Sequence, residues 1–148
     1  MSYQEKKNIV SLISTILIFG SYCGAVYVRY YDANLAGAEL FRFWGAVILI
    51  LIPVTIVAKV IIEIVFIIIN RIATKEMEPS FADELDKLIE LKAMRMSYFV
   101  FILGFLLAMG SLVLQMTPSV MFVILIFSGF ISDVASSVTR LYHYRKGV

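Results

Sequence analysis

Apolar residues fall into four long runs, and polar residues collect between them and at the ends. From Ile9 to Tyr31 the chain is apolar for more than the roughly 20 residues that a helix needs to cross a bilayer. A second run spans 43–70, a third 96–115 and a fourth 118–142. The pattern predicts four spanning helices at 9–31, 43–70, 96–115 and 118–142. Asp32–Arg42 reads as the first loop, with Arg42, Phe43 and Trp44 as an interfacial anchor for the second span. Tyr27, Tyr30 and Tyr31 read as an aromatic belt. Gln115-Met116-Thr117-Pro118 reads as a tight turn, because proline suits the first turn of the following helix.

Between the second and third runs the pattern changes period. Ser80 is a good N-cap, and no glycine or proline occurs from there to Leu103. Phe81, Leu85, Leu88 and Ile89 form an apolar stripe, with Asp83, Asp86, Lys87 and Glu90 mostly off it. The expectation is an amphipathic helix over 80–95 that continues through the third span to about Gln115. The fold class is then all-α: an integral membrane four-helix bundle, with two hairpins joined by a cytosolic amphipathic helix continuous with the third span. The whole chain, 1–148, forms one domain.

Composition supports the membrane setting. Of 148 residues 61% are hydrophobic and 16% charged, and the mean hydropathy is +0.91. A soluble domain carries about 25% charged residues. The net charge of +2 is too small for a nucleic-acid footprint, so no direct nucleic-acid binding is expected. Basic residues cluster before the first span (Lys6, Lys7), between Arg71 and Arg95, and from Arg140 onward. The positive-inside rule then puts both termini and the charged helix in the cytoplasm, in a multi-pass protein of the cell (inner) membrane.

Small residues mark candidate helix contacts. Gly20, Ser21, Gly24 and Ala25 form a stripe that suits packing inside the monomer or, as the lesser expectation, a homodimer. Gly104, Ala108 and Gly110 give the third span a small face.

Two groups of charged residues are candidate sites. Lys59, Glu63 and Asp133 interrupt apolar sequence, where charge is costly and marks function or pairing. Lys59 and Glu63 are four residues apart and can neutralise each other. A bridge from Lys59 to Asp133, between spans two and four, is the competing structural expectation. Asp83, Glu84, Asp86, Lys87, Glu90, Lys92 and Arg95 form the second group, suited to a protein partner. No Ser-His-Asp set, Cys/His metal spacing or phosphate-binding glycine loop is present, so no catalytic residue, metal or cofactor is expected.

The opening Ser2-Tyr-Gln-Glu-Lys-Lys7, the central Asp83-Glu84-x-Asp86-x-x-Ile89-x-x-Lys92-x-x-Arg95-x-Ser97-Tyr98 and the ending Tyr142-x-Tyr144-Arg145-Lys146-Gly147 resemble a family of small prokaryotic membrane proteins, the domain of unknown function numbered 2178. The chain departs from the family pattern at Leu85, where a basic residue is usual. The resemblance implies a four-span prokaryotic membrane protein with no established activity. It also implies association with helix-turn-helix regulators, since related small membrane proteins often sit beside them.

Two functional readings follow. In the first, the protein is a regulatory or scaffold component, not an enzyme, that binds a cytosolic partner, such as a transcription regulator, through 76–98. In the second it is a small ion- or proton-coupled transporter using Lys59, Glu63 and Asp133.

Overall fold

The computed structural model describes residues 3–75 and 84–146, apart from the side chains of residues 32 and 33. The described chain is all-helical: α1 Tyr3–Ala33, α2 Ala38–Thr74, α3 Glu84–Val113 and α4 Pro118–Lys146. All four helices are long and apolar enough to cross a membrane. The expected N-cap Ser80, with Phe81 and Asp83, lies outside the described residues.

The helix ends correct the expected boundaries. α2 begins at Ala38, so Arg42 belongs to a helix and not to the first loop. The break is confined to 34–37, where Asn34 and Gly37 take positive φ angles of 45° and 63°. Glycine adopts that conformation without a Cβ penalty. Ala38, Glu39 and Leu40 are good helix formers and continue directly into the apolar run. At 37 residues α2 is about 55 Å long, well beyond the ~30 Å of a bilayer's apolar core. Pro53 lies inside it without dividing it. α3 ends two residues before the expected Gln115. Gln115 is left-handed (φ 59°), the Met116 amide donates to the Ser111 carbonyl, and the Gln115 amide donates to the Leu112 carbonyl. That is a Schellman stop, and Pro118 then starts α4.

α3 and α4 form the closest pair, and small residues make it so. Gly104, Ala108 and Ser111 on α3 are buried, as are Ser128, Ser132 and Ser136 on α4. A Cβ at Gly104 would collide with the Ser128 side chain and lie 3.4 Å from its Cα. Three of these four serine hydroxyls bond within their own helices: Ser128 donates to the Ile124 carbonyl (2.6 Å), Ser132 to Gly129 (2.8 Å) and Ser111 to Ala108 (2.6 Å). The backbones can therefore approach without stranding a polar group. Gly110, expected on this face, meets open space; Ser111 takes its place.

α1 packs on both α2 and α4, and α2 makes only slight contact with α4. The Tyr22 hydroxyl donates to the Val47 carbonyl on α2 (2.6 Å). Phe19 stacks on Phe130 of α4 at 4.1 Å. Trp44 is no exposed anchor. It is 4% exposed, stacks with Phe122, and donates its indole N–H to the Ser119 hydroxyl (3.3 Å). An indole needs such a partner when buried. Tyr27 and Tyr31 remain exposed, as a belt requires. The stripe of Gly20, Ser21, Gly24 and Ala25 does not pack on the described residues of the monomer: all four are exposed, and none of those residues comes within 4 Å of a Cβ at either glycine.

Candidate functional site

One end of the bundle collects the charge. On α4, Asp133, Arg140 and Tyr144 are separated by seven and four residues, which brings them to one side of the helix. On α3, Asp86 and Glu90 are also four apart. The helices run antiparallel, so the two pairs meet as rungs. Arg140 grips Glu90 with Nε to Oε2 at 2.8 Å and Nη2 to Oε1 at 2.9 Å. The Tyr144 hydroxyl donates to Asp86 Oδ1 at 2.8 Å. A forked guanidinium–carboxylate contact fixes orientation as well as distance. Arg145 approaches Glu5 of α1 at 3.9 Å.

The expected polar cluster is split into two interhelical pairs. Lys59 of α2 bonds Asp133 of α4. Glu63, one turn on, pairs with Lys7 of α1 at 2.5 Å. The bridge between spans two and four is therefore present, and mutual neutralisation of Lys59 and Glu63 is not what the helices adopt. Lysine N-terminal to glutamate is the weaker order for an i,i+4 pair. Asp133 also needs a cation, because an unpaired charge in apolar surroundings is costly.

The expected partner-binding residues divide the same way. Asp86, half-buried, and Glu90, exposed, are both engaged by α4. Lys92 is half-buried. Glu84, Lys87 and Arg95 are exposed, and Asp83 lies outside the described residues. The apolar stripe is turned as well: Ile89 and Ala93 are fully buried, whereas Leu85 and Leu88 are exposed. The cause lies further along α3. Gly104, Ala108 and Ser111 share a face with Ile89 and Ala93, so the tight seam fixes the rotation of the whole helix.

No protein-family model, curated protein or solved structure matches the chain.

Two cavities meet at Asp133. The larger, about 470 Å³, lies between α1, α2 and α4 and is walled by apolar side chains together with Thr15, Thr55 and Asp133. The smaller, about 220 Å³, is polar and lined in part by Lys7, Ser14, Lys59, Glu63, Asp133 and Arg140. Among the described residues no three His, Cys, Asp or Glu side chains converge to hold a metal ion. Lys7, Arg140, Tyr144 and Arg145 belong to this end of the bundle but were not among the expected site residues. The i,i+4 pairs Asp86/Glu90 and Arg140/Tyr144, of complementary chemistry and on neighbouring spans, were the available signal.

Proposed function

We propose that the chain is a regulatory or scaffold component of the cell (inner) membrane, with both termini in the cytoplasm, that holds a cytosolic protein through 76–98. In this reading two hairpins are joined by a cytosolic amphipathic helix that runs on into the third span. The partner is a soluble protein, such as a transcription regulator, and the protein is neither an enzyme nor a direct nucleic-acid binder. One observation carries the reading. The first turns of α3 are clamped to α4 through Glu90–Arg140 and Asp86–Tyr144, while the opposite face, with Glu84, Lys87, Leu88, Leu91 and Arg95, stays exposed. A rigid helix that mixes leucines with charge suits docking, because little ordering entropy remains to be lost. A homodimer belongs to the same reading, and the open face at Gly20 and Gly24 offers it a close approach.

Recovery from native membranes in mild detergent tests this. The variant Lys87→Glu/Arg95→Glu changes only exposed residues, so its melting temperature should match wild type. A soluble protein should copurify with wild type and be lost from the variant. If wild type brings down no soluble protein, or the variant retains it fully, this reading fails.

The second reading, a small ion- or proton-coupled transporter using Lys59, Glu63 and Asp133, draws on the position of Asp133 between two cavities. It ranks below the first because each of these charges already has a partner on another helix.

A further inference from the structure

The larger cavity is not needed for the docking role proposed above. At about 470 Å³ it falls in the range that takes drug-sized ligands. Its walls are almost wholly apolar. The Thr15 hydroxyl is already spent on the Ser11 carbonyl of its own helix (2.8 Å). Among the described residues Asp133 is the single ionisable side chain that lines it, and that charge is negative. Lys59, the partner of Asp133, lines the polar cavity and not this one. Aromatic rings complete the wall: Phe19 and Phe130 lie stacked at 4.1 Å, and Phe101 of α3 also lines the chamber. Ring faces attract cations, more strongly where water is excluded.

We propose that this chamber binds a lipophilic cation, a quaternary ammonium or phosphonium bearing aromatic or alkyl groups, with its charge on the Asp133 carboxylate in place of Lys59. The displaced ammonium has a destination. Lys59 stands on a flexible four-carbon stem, and Glu63, which already holds Lys7, lines the same polar cavity one turn along α2, so the two ammonium groups would share its carboxylate. The route in is lateral. α2 touches α4 only slightly, and its wall residues Ile52 and Ile56 are exposed on the outer surface of the bundle. A ligand dissolved in the bilayer can therefore reach the chamber without crossing the polar end. An anionic amphiphile fits poorly, because it would set like charge against Asp133 with no cation among the described residues that line the chamber.

The competition with Lys59 makes the test directional. The probes are tetraphenylphosphonium and tetraphenylborate, which share a shape and differ in sign, bound at equilibrium to the full chain in nanodiscs. Wild type should bind the phosphonium in preference to the borate. Lys59→Met removes the competitor and should bind the phosphonium at least tenfold more tightly. Lys59→Met/Asp133→Asn removes both members of the pair and strands neither, so it keeps its fold, and should lose that affinity by tenfold or more. Tighter binding of the borate overturns the proposal. So does phosphonium binding that is equal in the single and double variants, or no saturable binding to Lys59→Met.

Discussion

Gly104→Ala is expected to destabilise the bundle by about 2 kcal/mol, whereas Gly110→Ala, less than two turns away on the same helix, stabilises it slightly. The added atom is the same and its surroundings decide the sign. In open space a helical glycine replaced by alanine gains up to about 1 kcal/mol, because alanine loses less backbone freedom on folding. Nothing lies within 4 Å of a Cβ at Gly110. At Gly104 the new Cβ meets the Cβ and Oγ of Ser128, and the backbone behind them leaves little room to yield. Overpacking of this kind costs typically 1–3 kcal/mol. Thermal unfolding followed by circular dichroism reads both effects, and Gly104→Ala/Ser128→Gly should recover most of the loss. Equal shifts at 104 and 110 would mean that α3 and α4 do not meet at this seam.

That seam also explains which features the sequence made legible. Four spans followed from the apolar runs, and the turn before α4 followed from Pro118. Helix length and proline chemistry are local properties, so a single sequence displays them. The rotation of α3 is not local. Phe81, Leu85, Leu88 and Ile89 have the spacing of a buried stripe, yet Leu85 and Leu88 face outward. The contact between Gly104 and Ser128, some four turns further on, turns Ile89 and Ala93 inward instead. The partner of Lys59 was open for a similar reason. Spacing offered Glu63 on its own helix, and only the packing of α1 and α4 supplied Lys7 to one carboxylate and Lys59 to the other. The Gly20–Gly24 spacing permits close approach but names no neighbour, and among the described residues none lies within 4 Å of a Cβ at either glycine.

A double-mutant cycle on Lys59 and Asp133 should show the second large effect. Each side chain is about one-third exposed, 35% and 31%, so the pair is intermediate between a buried and a surface bridge. Removing one partner from a buried pair costs 3–5 kcal/mol, because the remaining charge is stranded. With partial exposure, Lys59→Met alone and Asp133→Asn alone should each cost about 2 kcal/mol. The double variant should cost well under the sum, with a coupling of about 1–3 kcal/mol. Additive losses would show that Lys59 and Asp133 do not interact in the membrane. The Lys7–Glu63 pair is more exposed at its acid, 48%, and its coupling should fall below about 1 kcal/mol.

The docking role depends on the charged end of the bundle lying in the cytoplasm, and site-directed labelling tests that directly. In a Cys23→Ser background the chain has no other cysteine, so each introduced thiol reports alone. Ala36→Cys, Lys87→Cys and Arg145→Cys would be treated in intact spheroplasts with a membrane-impermeant maleimide. The proposed topology predicts that Ala36→Cys labels at once, and that Lys87→Cys and Arg145→Cys label only after permeabilisation. Labelling of Lys87→Cys or Arg145→Cys in sealed spheroplasts would contradict it, and would remove the cytosolic platform on which the regulatory reading stands.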